Sequence, residues 1–214
     1  MVSTRIAVIT GKHQPFEENE DVKEFSMTNS KTAILPYEIG KNFPNLVNFI
    51  AMNCHLRFIN RNMFQDMSKL ELLKLDHNEI EILSPFVFNE LKNLKWLSLN
   101  DNNIPNLPSQ VFSNLKRLSW VTINDNFLTK LDDNIFINNT RIELMSFKGN
   151  QLKEILVDFD SFKKLLYVDF RHNDCANSNF RKIELGRKLF YLTIKEELKN
   201  CGIMKIEEKD VKNF

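Results

Sequence analysis

From Leu46 onward the chain repeats one pattern of apolar and polar positions. Leu70, Leu73, Leu75, Asn78, Ile80, Leu83, Phe88 and Leu91 return 24 positions later as Leu94, Leu97, Leu99, Asn102, Ile104, Leu107, Phe112 and Leu115. The first apolar position of each unit is Leu46, Leu70, Leu94, Leu118, Ile142 and Leu165, with steps of 24, 24, 24, 24 and 23. A fixed period of this length predicts a solenoid, in which each unit is one coil that buries its apolar side only against its neighbours. In each L-x-x-L-x-L segment the fourth and sixth residues face inward, and the residues between them face outward from a strand. Stacked strands then form a parallel sheet lining the inner face of an arc.

Two further columns serve the coil. Asn78, Asn102, Asn126, Asn150 and Asn173 follow the strands, with Cys54 in that place in the first regular coil. A buried amide at a turn can satisfy backbone groups of adjacent coils that would otherwise be unpaired. Phe64, Phe88, Phe112, Phe136 and Phe159 supply one large ring per coil to the convex half. The step from Phe136 to Phe159 is 23, as is that from Asn150 to Asn173, so one residue is missing from the convex side of that coil.

The flanks are irregular. Ile6 and Val8 alternate within residues 3–10 and predict a strand, and Gly11 to Asp21 reads as a loop. Val22, Phe25 and Met27 precede Leu46, Phe49 and Ala51 by 24 residues, which predicts a degraded first coil closed by Leu35 and Pro36. At the other end Phe190, Ile194, Leu198 and Cys201 form a helical stripe that stops at Gly202. The expected organisation is an N-terminal cap over 1–45, repeats over 46–173, a C-terminal helical cap over 174–202 and a charged tail over 203–214. The fold class is an α/β repeat solenoid. It has a parallel sheet on its concave face, an irregular or short-helical convex face and an N-terminal β cap.

Composition narrows the chemistry. The chain has 214 residues, 43% of them hydrophobic, with 18 Phe but 5 Gly, which suits a long ring-filled core and not a glycine-rich phosphate loop. A net charge of +1 gives no general electrostatic case for nucleic acid or an anionic membrane. No apolar run approaches the roughly 18 residues of a spanning helix, and Ile6–Ile9 is too short for the core of a signal peptide. The chain is therefore expected to be a mature form, a fragment or an intracellular protein. No motif for catalysis is present, the four histidines lack metal-ligand spacing, and neither enzyme activity nor a cofactor or metal is expected. Cys175 and Cys201 bracket the capping segment and are expected to form a disulfide, the alternative being two buried thiols. Cys54 either replaces the turn Asn or pairs with a cysteine upstream of Met1. Asn138-Asn139-Thr140 is a glycosylation sequon that would place a glycan on Asn138.

The outward strand positions carry the candidate binding surface. The first column runs Asn48, Leu72, Trp96, Trp120, Leu144 and Tyr167, so both tryptophans of the chain fall on adjacent strands. The middle column begins Ile50, Lys74 and becomes mostly small and hydroxylated. The third runs through Asp76, Asn100, Asn124, Lys148 and Arg171, with Asp101 and Asp125 at its edge, so charge changes sign along the arc. An exposed stripe of Trp and Tyr marks a protein-contact site. The competing reading is that the rings only support one another along the sheet.

The motif L-x-x-L-x-L-x-x-N-x-L at this period is the leucine-rich-repeat signature. The repeats resemble the 24-residue class of extracellular leucine-rich-repeat proteins, found in receptors of the Toll type and in secreted binding proteins. The flanking stretches ITGKHQPFEENEDVKEF, GKNFPNLVNFIAMNCHL and RHNDC…KEELKNC are similar to those of short secreted insect leucine-rich-repeat proteins. In that group a signal peptide and a further Cys precede the cap. Both are absent here, which suggests a clipped start and favours an upstream partner for Cys54. The resemblance implies a leucine-rich-repeat horseshoe that is secreted or ectodomain-like and binds a protein ligand. The alternatives are a cytoplasmic scaffold, or a fragment of a Toll-like or adhesion receptor ectodomain.

Overall fold

The structure is a computed structural model that describes residues 22–31, 35 and 38–202. The strand expected over residues 3–10, the loop to Asp21, Pro36 and the charged tail lie outside the described residues. The strands are β1 (Glu24–Thr28), β2 (Asn48–Met52), β3 (Phe58–Ile59), β4 (Leu72–Lys74), β5 (Ile82–Leu83) and β6 (Trp96–Ser98). They continue as β7 (Trp120–Thr122), β8 (Lys130–Leu131), β9 (Leu144–Ser146), β10 (Glu154–Ile155), β11 (Tyr167–Asp169) and β12 (Asn179–Arg181). The helices are α1 (Ile39–Asn42), α2 (Lys182–Leu185) and α3 (Arg187–Glu197).

One eight-stranded sheet runs β1-β2-β4-β6-β7-β9-β11-β12. The strands from β1 to β11 are parallel, and β12 closes the sheet antiparallel to β11. The register follows the sequence period: Leu72 faces Trp96 and Trp96 faces Trp120. The register also reaches back to β1, where Phe25 faces Phe49 and Met27 faces Ala51. Two short parallel pairs, β3 with β5 and β8 with β10, lie outside this sheet.

The core is a continuous column of rings. Phe64 and Phe88 lie 5.8 Å apart, Phe88 and Phe112 6.4 Å, and Phe112 and Phe136 5.2 Å. After Phe136 the geometry changes, because the next convex segment is one residue short. Phe136 meets Phe147 at 6.1 Å and Phe162 at 6.4 Å, whereas Phe159 turns edge-on to Phe170 at 5.7 Å. Phe147 and Phe170 occupy the inward position held by Leu75 and Leu99 in earlier coils. Their stacking at 6.1 Å fills the space left by the displaced ring.

The end of the core is covered by α3 and the 3-10 turn after it, through Phe190, Ile194, Leu198 and Cys201, all buried. The residues between Asn177 and Lys188, polar in sequence, hold β12 and α2. The only inward side chain of β12 is Phe180, too little alternation to announce a strand. A disulfide joins Cys175 to Cys201 with their Cα atoms 5.1 Å apart.

Candidate functional site

Each coil is stitched to the next by its asparagine. Asn102 Nδ2 donates to the carbonyl of Leu75 at 3.0 Å and to that of Leu99 at 3.2 Å, while its Oδ1 accepts from Ile80 N–H at 3.0 Å. Asn78, Asn126, Asn150 and Asn173 repeat this arrangement with the equivalent carbonyls. Cys54 makes the same link with a thiol. Its Sγ donates to Met27 O at 3.3 Å, 27 residues back, as Asn78 donates to Ala51 O 27 residues back. Burial pushes the Cys54 thiol up, and it is free and buried. These contacts are those of the turn Asn.

The residue before each of these asparagines is left-handed. Asn53, His77, Asp101, Asp125, Gly149 and His172 have φ between 52° and 68°. Asn, Asp, His and Gly are the types that tolerate this conformation. Asp101 and Asp125 therefore serve the turn as well as lying at the charged edge of the third column. At Gly149 an added Cβ would lie 2.1 Å from Asp125 Oδ1, so any side chain there would displace that carboxylate.

The outward strand residues form three rows of different character. In the first, the Trp96 and Trp120 rings are 4.5 Å apart and tilted by 45°. Lys74 Nζ sits 5.3 Å from the Trp96 ring, and the Arg181 guanidinium 5.6 Å from the Tyr167 ring. Trp120 is the most open of the row at 37% exposure, while Leu72, Trp96, Leu144 and Tyr167 are half-buried.

The third row is a ladder as much as a surface. Asp76 Oδ1 accepts from Asn100 N–H at 2.8 Å, Asn100 Oδ1 from Asn124 N–H at 2.8 Å, and Asn124 Oδ1 from Lys148 N–H at 2.9 Å. Asp76, expected at the surface, is only 6% exposed, and Ser98 Oγ also donates to it. The ladder ends at Lys148, whose side chain has no acceptor. In the next coil Asp169 takes over the task. It is 3% exposed and accepts from Arg171 N–H and Nε, both at 3.0 Å, and from Tyr167 Oη at 2.9 Å. Burial alone would raise the Asp169 carboxyl, but the hydrogen bonds from Arg171 and Tyr167 hold it below the usual carboxylate range. Burial and the bond to Asp169 push the Tyr167 hydroxyl up.

Asn138 is exposed on the convex side, whereas its neighbour Asn139 is fully buried. Asn139 stands where earlier coils have Leu91 and Leu115, and its Nδ2 donates to Phe112 O at 3.0 Å and Leu115 O at 2.9 Å. Its Oδ1 has no partner. His55 and His77 pair with Glu79 and Asp101 across one coil on the exposed rim. Among the described residues no three His, Cys, Asp or Glu side chains are placed to hold a metal, and no helix is long and apolar enough to cross a membrane.

The fold and its asparagine-stitched coils define a leucine-rich-repeat solenoid, with a parallel sheet on the concave face. A family model described as leucine rich repeat matches residues 44–104. Among the solved structures that share the fold, two illustrate it. One is the Toll–Spatzle complex of Drosophila in its glycosylated form, at 21% identity and a TM-score of 0.64, over 72% of this chain and 21% of that one. The other is a leucine-rich-repeat protein of Leptospira interrogans, at 24% identity and a TM-score of 0.60, over 79% of this chain and 39% of that one. The chain thus spans well under half the length of either. No curated protein matches it in sequence.

Proposed function

We propose that the protein is a non-enzymatic binding module, secreted or part of an ectodomain, that holds a protein partner on its concave face. The observation that carries this reading is the Trp96–Trp120 pair, two large rings side by side on a rigid sheet with Trp120 open to solvent. Aromatic side chains on a pre-ordered surface bury much area on binding and lose little conformational freedom. Leu72, Leu144 and Tyr167 extend the stripe, and Lys74, Lys148 and Arg171 supply charge beside it. Asp76, Asn100 and Asn124 hold the strands at fixed spacing beneath the partner, and the amide groups of the two asparagines offer it further hydrogen bonds.

The disulfide and the likeness to a chain of the glycosylated Toll–Spatzle complex support an extracellular setting. Disulfides persist in oxidising compartments. A glycan on Asn138, which is exposed on the convex side, would leave the concave face clear.

The test compares proteins captured by the wild type and by Trp96→Ala/Trp120→Ala. Loss of two anchor rings lowers affinity for the concave-face partner by at least about 30-fold. A double variant that folds and retains every partner sinks the reading. Mass spectrometry of native material under non-reducing conditions tests the compartment: free thiols at both Cys175 and Cys201 would contradict it.

A further inference from the structure

Beyond the last tryptophan the stripe opens into a cavity of about 570 Å³ lined by Leu144, Leu166, Tyr167, Arg181 and Ile183. Part of its apolar wall is open to solvent. Ile183 is 93% exposed and Leu166 53%, and α2, which carries Ile183, buries none of its residues. The surrounding charge is one-sided. Residues 141–148, 164–171 and 179–186 bring six cations against three carboxylates. Two of those carboxylates are already paired, Asp169 with Arg171 and Glu184 with Arg181, which leaves Glu143 against four further cations.

The cations of the coils fall into two groups. Arg57, Arg61, Lys95 and Lys130 each pair with a carboxylate on a neighbouring coil. Arg117, Arg141 and Lys164 stand at one repeat position on three consecutive coils, all exposed, and none makes an ion pair among the described residues. Three residues ahead of β7, β9 and β11, these like charges sit on coils whose strands are roughly 5 Å apart, and they repel. A ligand carrying carboxylates along this edge would relieve that repulsion.

Resting on the reading that the concave face binds protein, we infer that its anchor point is this C-terminal cavity. It takes an aliphatic or aromatic side chain from an acidic segment of a partner protein. Leu144, Leu166 and Ile183 receive the apolar group. The Arg117–Arg141–Lys164 row receives the flanking carboxylates, beside Arg181, which is held over the Tyr167 ring and paired with Glu184. A second copy of the chain fits poorly, because a two-fold contact centred here would set the basic row against itself.

The probe is a randomised peptide library of about 12 residues, panned on the full disulfide-intact chain. Enriched peptides are expected to be net negative with at least one Leu, Ile, Phe or Trp. A synthesised winner should bind at least about tenfold more weakly to Leu166→Ser/Ile183→Ser, a pair exposed enough to leave the fold intact. Its affinity should also fall severalfold from low salt to about 0.3 M, where screening shortens the reach of the rim charges. Basic or uncharged winners overturn the inference, as does a dimer in sedimentation that dissociates in Leu166→Ser/Ile183→Ser. Winners lost on Trp96→Ala/Trp120→Ala but unaffected by Leu166→Ser/Ile183→Ser overturn it while leaving the concave-face reading standing. Winners indifferent to both pairs, or no winners, overturn both.

Discussion

The coils from Leu70 to Asn126 and the end from Asn150 to Cys201 solve the same problem by different means. In the middle, every device is a copy of its neighbour: a stacked ring, a turn amide, a left-handed residue and a carboxamide rung. Each works because another coil follows at the same spacing. At the end no coil follows. The ring column bends through Phe147, Phe162 and Phe170, and an antiparallel strand closes the sheet. Asp169 replaces the carboxamide ladder with bonds inside its own coil, and a disulfide pins the cover. The repeat is thus self-supporting along its length and dependent on singular devices at its edge, as a one-dimensional stack requires.

Four variants probe that contrast. Phe112→Ala removes a ring stacked on both sides, by Phe88 and Phe136, and should cost about 3–5 kcal/mol in chemical denaturation. A loss as small as that of an exposed residue would show that neighbouring coils close over the gap. Cys175→Ser/Cys201→Ser opens a closure spanning 26 residues and should cost about 3 kcal/mol. The effect should be concentrated in α3, so hydrogen exchange there should rise while the middle strands stay protected. Uniform loss of protection would mean that the end and the middle unfold as one unit. Asn102→Ala strands backbone groups on two coils and should lower stability by about 1–3 kcal/mol.

The smallest effect is expected from Asp169→Asn, and it should depend on pH. Its folded carboxyl titrates below the unfolded value of about 3.9, so its contribution is complete above that pH and fades as pH falls through the folded value. The stability gap between wild type and variant should be constant near neutrality and shrink on acidification below about pH 4. A gap that grows with acid would reverse the assignment.

Much of this was legible from spacing. The coil boundaries follow from the leucines, the turn amides from Asn78 to Asn173, and the missing residue from the step to Phe159. The disulfide followed from two cysteines on apolar positions of the cover. What spacing could not report is how polar groups spend their hydrogen bonds. Asp76, Asn100 and Asn124 point outward as their positions require, yet their oxygens are committed to the next strand. The left-handed column was visible as residue type, Asn53, His77, Asp101, Asp125, Gly149 and His172, but two of its members look like surface charge when read for sign alone. Strand β12 and helix α2 are too short for periodicity to register. Asn139 breaks the apolar pattern of its column because its amide bonds to carbonyls of the preceding coil.

The asparagine stitching also has a mechanical consequence. Each amide reaches only the adjoining coil, so tension along the chain has no long-range strut to break. Coils would peel from a free end singly, each 24-residue turn paying out roughly 80 Å of slack. The Cys175–Cys201 bridge withholds its own loop from that extension. Stretched, the molecule behaves as a reel with evenly spaced stops and a locked final turn.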